Sequence, residues 1–128
     1  MSKAKGSRTE RELIRKFYDT GTFIALRTAG SGSTPLPAPD LLVGGNNKVF
    51  AIECKSGKDK RYIKKDQIDE LKEFASKFGA EPWIGVRFDR LGWYFLKIED
   101  LHVSKGGNHL VSKEIALEKG ITFENLIK

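Results

Sequence analysis

One cysteine, Cys54, is the entire thiol content of these 128 residues, so the chain can form neither an internal disulfide nor a cysteine-rich zinc site. Any metal chemistry must rest on oxygen ligands. No run of about 18 apolar residues is present to span a bilayer. The opening MSKAKGSRTERE also lacks the apolar stretch that a signal peptide requires, so the expected location is the cytoplasm. Ser, His and Asp do not fall at a spacing that makes a nucleophilic triad. The two histidines, His102 and His109, read as surface or capping residues, as does Gln67. There is no internal repeat and no tract of low complexity.

What is present fits one domain over 1–128, since a chain of this length removes roughly two thirds of its unfolded surface from water on folding. The apolar fraction is ordinary and the charges are mixed in sign, which excludes a disordered chain. A net charge of +6 points to a polyanionic partner, because clustered Lys and Arg gain affinity for phosphates by releasing condensed counterions. Nucleic acid comes first and an anionic membrane second.

The segment from Gly6 to Asp19 sets Leu13, Ile14, Phe17 and Tyr18 at helical spacing among Arg8, Arg11, Glu12, Arg15 and Lys16, and so predicts an amphipathic helix. Gly21 ends it. Thr22 to Thr28 reads as a strand with Phe23, Ala25 and Arg27 on one face. AGSGSTPLPAP, Ala29 to Pro39, is a loop by composition. Asp40 to Val43 and Lys48 to Lys55 are antiparallel strands about a Gly-Gly-Asn-Asn turn. The basic connector SGKDKRYIKK leads to a helix over Asp66 to Phe78, with Ile68, Leu71, Phe74, Ala75 and Phe78 on its apolar face and Gly79 as its stop. A second hairpin, Pro82 to Phe88 and Trp93 to Lys97, turns about Asp89 to Gly92. After that come a turn at Gly106 and Gly107, a short strand from His109 to Ser112, and a closing helical turn with Thr122 as its cap. The order is helix, three strands, helix, two strands. It describes an α/β fold with a mixed, largely antiparallel sheet and helices packed around it.

The chemistry gathers at Pro39-Asp40, twelve intervening residues, then Glu53-Cys54-Lys55. Side chains alternate along a strand, so Glu53 and Lys55 share a face while Cys54 turns to the core. The hairpin returns Asp40 to the Ala51 to Glu53 end of the second strand. Two carboxylates held together repel unless a cation lies between them, and their hard oxygens suit Mg²⁺, with Mn²⁺ as a substitute. Such an ion polarises a phosphoryl oxygen and lowers the pKa of bound water from about 15.7 toward about 7, which is the chemistry of phosphodiester hydrolysis. Lys55 then either orients that water or offsets charge developing on the phosphate.

Each of these features has a plainer explanation. Glu-x-Lys is common on solvated strand faces, Pro-Asp is a common turn, and Ser31 and Ser33 are ordinary neighbours of Gly or, alternatively, contacts to a scissile phosphate. Glu10 continues the apolar stripe of the first helix; it is either a favourable charge near the helix start or a carboxylate that needs a partner. The connector residues Lys58, Lys60, Arg61, Lys64 and Lys65 form either a solvated face or a phosphate contact beside the site, and the adjacency favours the second.

KGSRTEREL (Lys5 to Leu13), RTAGSGS (Arg27 to Ser33), PDLL (Pro39 to Leu42), IECKSGKD (Ile52 to Asp59) and the helix ending EFASKFGA (Glu73 to Ala80) together resemble the archaeal-type Holliday junction resolvases of the PD-(D/E)xK nuclease superfamily. The likeness runs over nearly the whole chain, with a long proline-bearing loop before Pro39 and a weak match over the last thirty residues. It implies a restriction-endonuclease-like fold with a central mixed sheet flanked by helices. It also implies metal binding by Asp40 and Glu53 with Glu10 close by, Lys55 as the catalytic lysine, and phosphate contact by Arg11 and Arg27. Ser31 matches the family's loop serine, and Phe74 and Phe78 match aromatics near the dimer interface and DNA surface. The activity implied is paired cutting of a branched, four-way DNA junction by a homodimer, since two symmetric cuts call for a twofold pair of sites. Two rivals stand beside it: a relative that cuts duplex or flapped DNA in repair or restriction, and a non-catalytic DNA-binding subunit of the same fold.

Overall fold

The computed structural model describes residues 2–28 and 36–128, with side chains from Arg8 onward. In chain order the elements are α1 (Ser2–Asp19), β1 (Phe23–Arg27), β2 (Leu41–Gly45), β3 (Lys48–Gly57), β4 (Lys60–Ile63), α2 (Lys65–Phe78), β5 (Glu81–Phe88), β6 (Gly92–Leu96), a 3-10 turn (Ile98–Asp100), β7 (His102–Val103), β8 (His109–Ser112), α3 (Lys113–Lys119) and α4 (Phe123–Leu126). The main sheet has the order β1-β2-β3-β5-β6. Its hairpin neighbours are antiparallel, and β3 and β5 run parallel because the chain crosses over through β4 and α2 between them. This is the mixed sheet flanked by helices that the sequence predicts.

The two faces of this sheet bury different helices. Leu13 and Phe17 of α1, one helical turn apart, pack on Phe23, Ala25, Leu41, Val43, Phe50 and Ile52, with Cys54 partly buried against the same cluster. Ile68, Leu71 and Ala75 of α2 pack on Ala51, Ile84, Val86 and Leu96 of the opposite face. Alternation along β3 therefore divides its residues: Phe50, Ile52 and Cys54 lie with α1, while Ala51 shares its face with Glu53 and Lys55. The β2–β3 turn has Asn46 at φ 52° and Asn47 at φ 63°, the left-handed pair that a two-residue hairpin of matching twist requires.

Several boundaries depart from the sequence reading. The first helix begins at Ser2 rather than Gly6, and β3 runs on to Gly57 rather than ending at Lys55, so Glu53 and Lys55 lie inside the strand. The basic connector contains β4, which joins β8 and β7 in a second, three-stranded antiparallel sheet. KRYI is too short for period-2 alternation to show, and its partner strand lies about fifty residues downstream. Ile63 is nevertheless completely buried. The helix α3 was likewise absent from the sequence reading. Phe78 is more than half exposed and Phe74 only partly buried, against the expectation of a core face. At 100° per residue the two are rotated by roughly 50–90° from the line through Ile68, Leu71 and Ala75. Tyr18 of α1 is exposed for the same reason.

Candidate active site

The β2–β3 register pairs Leu41 with Ile52, so Asp40, one residue before β2, comes level with Glu53. Two further contacts fix it there. Asp40 Oδ2 accepts the Cys54 backbone N–H at 2.8 Å. Thr28, at the end of β1, donates its backbone N–H to the Asp40 carbonyl at 3.1 Å and its hydroxyl to the Pro39 carbonyl. The Pro-Asp dipeptide is thereby pinned between two strands, a role for Thr28 that no motif in the sequence signals.

Glu53 and Lys55 project from the same face of β3, opposite Ile84 and Val86 of β5. Their side chains are only 12% and 13% exposed, and Lys55 Nζ lies 4.0 Å from Glu53 Oε2. Burial pushes the Glu53 carboxyl up to about 8, with the charge of Asp40 adding to the push and Lys55 opposing it. Burial also raises Asp40, partly offset by the Cys54 N–H bond and Lys55. Glu10 enters from α1, its side chain 13% exposed, with Oε1 2.7 Å from Arg27 Nε. That approach is off hydrogen-bond alignment, and among the described residues no donor is aligned on the buried oxygen. Its carboxyl is raised by burial and by Asp40, against Arg27. Three carboxylates thus share one electrostatic environment in which each resists ionising, and an added cation relieves that conflict.

Among the described residues, no group of three or more His, Cys, Asp and Glu side chains is gathered closely enough to hold a metal ion by itself. Asp40, Glu53 and Glu10 therefore do not form a closed cage. The donor set still suits Mg²⁺, which keeps several waters and is commonly bound by one or two carboxylates together with substrate phosphate oxygens. Burial first, and the surrounding carboxylates second, hold the Cys54 thiol well above its usual range.

The predicted DNA-contact residues fall into three groups. Arg27 is half exposed, and Arg11 is exposed beside Ile14, Arg15, Tyr18 and Ile24. Lys58, Lys60 and Lys64 are exposed along the strand edge and connector that follow Lys55, whereas Arg61 donates Nη1 to the Ser56 carbonyl and is partly buried. Ser31 and Ser33 lie outside the described residues. Phe74 and Phe78 stack with ring centroids 5.0 Å apart, and with Leu36 and Pro37 they line a cleft of about 310 Å³. Gln67 caps α2 by accepting the Lys64 backbone N–H at 3.3 Å.

A second polar cluster escaped the sequence reading. Glu12 Oε1 accepts Nε1 of Trp93 at 2.7 Å and Nε of Arg87 at 2.8 Å, at one end of a cleft of about 470 Å³. A helical Glu among arginines looks like solvated surface, and its partners lie 75 and 81 residues away.

Comparison with known proteins agrees with this fold. A family model described as archaeal Holliday junction resolvase (Hjc) matches residues 1–128. The crossover junction endodeoxyribonuclease Hjc of Archaeoglobus fulgidus is 38% identical over 100 residues, covering 77% of this chain and 73% of the relative. That of Sulfurisphaera tokodaii is 33% identical over 130 residues, covering 99% and 88%. A crossover junction endodeoxyribonuclease Hje from Saccharolobus islandicus is 36% identical over 111 residues, covering 81% and 82%. Among solved structures, the Holliday junction resolvase Hjc of Archaeoglobus fulgidus superposes with a TM-score of 0.88 at 30% identity, over 96% of this chain and 100% of that one.

Proposed function

Because the chain belongs to the archaeal Holliday junction resolvase family, we propose that it resolves four-way DNA junctions by hydrolysing phosphodiesters at the cluster of Asp40, Glu53 and Lys55. The carrying observation is the crowding of the largely buried carboxylates of Asp40 and Glu53, level with each other in the β2–β3 register, beside Lys55. In this reading Asp40 and Glu53 hold Mg²⁺, for which Mn²⁺ can substitute, and Glu10 lies close by. When bound, the ion supplies polarisation of the phosphoryl oxygen and a water acidic enough to attack at neutral pH.

The protein's own groups supply position and charge. The Cys54 N–H and Thr28 fix Asp40, so its carboxylate does not have to reorganise when substrate arrives. Lys55 Nζ either orients the attacking water or offsets charge that develops on the phosphate. Arg27 shields Glu10 and keeps half its surface free for a phosphate oxygen, and Arg11, the residue after Glu10 on α1, offers a second cation. Lys58, Lys60 and Lys64 extend the basic path away from the site. Arg61, held by Ser56, serves more as a brace for that path than as a mobile contact. Ser31 and Ser33, which lie in sequence between Arg27 and Asp40, are assigned to the scissile phosphate. Phosphate contacts of this kind read junction shape rather than base sequence.

Two symmetric cuts require two sites, and we assign the Phe74–Phe78 cleft to a twofold homodimer contact, in keeping with the exposure of Phe78. We place this activity in the cytoplasm. No helix among the described residues is long and apolar enough to cross a membrane.

The test is product mapping on a mobile four-way junction and on matched linear duplex with Mg²⁺. Paired nicks confined to the junction arms are expected, and equal cutting of the duplex would sink the reading. Asp40→Ala is expected to lower cleavage by at least about 10³-fold while leaving junction binding within about twofold. Cleavage that survives this change would refute the site.

A further inference from the structure

The helix α1 lies against the main sheet, whose edge strands are β1 and β6. Among the described residues, two polar ties to the sheet hold the middle of this helix. Glu10 meets Arg27 of β1, and Glu12 accepts from Arg87 of β5 and Trp93 of β6, which are direct register partners. Residues two apart on a helix point roughly 160° from one another, so the two ties restrain opposite flanks. The far tie is also anchored close to the chemistry, since Arg87 stands opposite Ser56, the residue after Lys55. Trp93 is only 8% exposed, and Glu12 is the acceptor for its indole N–H. Removing that acceptor leaves a buried donor unpaired.

We propose that Glu12 is a positioning residue for the active site: by tying α1 to the β5–β6 hairpin it fixes the roll of the helix and so the approach of Glu10 to Asp40. A carboxylate about 6 Å from a helix axis moves about 1 Å when the helix rolls by about 10°. A displacement of that size is enough to cost about two orders of magnitude in an oriented reaction. The inference rests on the reading that Glu10 belongs to the metal site.

The test is a double-mutant cycle read by Mn²⁺ affinity of the folded, DNA-free protein, alongside junction cleavage. Glu12→Ala is expected to weaken Mn²⁺ binding about tenfold and to slow cleavage by about 10²-fold. Glu12→Gln keeps an acceptor oxygen and is expected to stay within about threefold of the wild type on both measures. Trp93→Phe, which keeps most of the packing and removes the N–H donor, should move both readouts in the same direction as Glu12→Ala and guards against a variant that fails to fold. In a Glu10→Gln background, Glu12→Ala should produce no further loss of Mn²⁺ affinity, because the group it positions is already altered. Equal loss in both backgrounds, or unchanged Mn²⁺ affinity in Glu12→Ala while Glu10→Gln is weakened, overturns the role of Glu12 alone. Wild-type Mn²⁺ affinity in Glu10→Gln overturns the placement of Glu10, and the inference with it.

Discussion

Glu53 is held protonated well into the neutral range, its carboxyl pushed up to about 8 by burial and by Asp40 against an ordinary value of 4.5. The folded, metal-free protein therefore holds a proton between those two values that the unfolded chain has released. The stability contributed by this group is fully present below about 4.5 and is lost as pH rises toward about 8. In a chelator-treated sample the thermal midpoint is expected to fall from about pH 5 to about pH 8, and the fall should be shallower in Glu53→Gln. Mg²⁺ or Mn²⁺ displaces the same proton, so metal affinity should rise by up to about tenfold per pH unit over that window. Calorimetric metal titrations at several pH values check the second expectation, and a metal-free midpoint that climbs with pH would contradict the first. The sequence already showed that Asp40, Glu53 and Lys55 converge, because strand alternation and a tight Gly-Gly-Asn-Asn turn leave little freedom in where they point. It did not show that the carboxylates are buried, or that Thr28 and the Cys54 N–H hold Asp40, since these depend on neighbours from other strands.

At the scale of elements, the β2–β3 hairpin sets the distance between Asp40 and Glu53, and Gly45 sets how closely β1 can approach it. Gly45 has φ 151°, and a Cβ there would lie 2.2 Å from the Thr22 carbonyl oxygen and 2.7 Å from Phe23 Cα, both backbone atoms. Gly45→Ala is expected to force β1 away from β2 and to cost about 2–3 kcal/mol in urea unfolding. A loss under about 0.5 kcal/mol would mean that the strands can separate cheaply. This hairpin was legible because Gly-Gly-Asn-Asn between apolar runs has a backbone reason to turn. So was α2, which Gly79 closes at φ 86° with its N–H on the Ala75 carbonyl. The strand β4 was not legible, since four residues carrying three polar or charged side chains resemble a linker until a partner strand arrives from the far end of the chain. The exposure of Phe78 was hidden for a related reason. Helical periodicity marks an apolar stripe but does not say how wide a strip the sheet will cover.

For the whole molecule, the protomer leaves Phe78 54% exposed and stacked on Phe74 beside Leu36 and Pro37. Phe78→Glu should leave the fold intact, because the side chain lies outside both cores, and should shift the sedimentation profile from dimer to monomer at micromolar concentration. Junction cleavage should then yield single nicks instead of paired ones, and a variant that remains dimeric would move the twofold contact elsewhere. The sequence by itself determined the α/β class, the principal hairpin, both main helices and the convergence of Asp40, Glu53 and Lys55. Those properties follow from periodicity, turn chemistry and composition, which act over a few neighbouring residues. Tertiary structure alone decided the crossover that makes β3 and β5 parallel, the second sheet, the burial that perturbs the carboxylates, and the tie from Glu12 to Arg87 and Trp93. Each of these depends on contacts between segments tens of residues apart, whose energies appear only once the chain has closed around them.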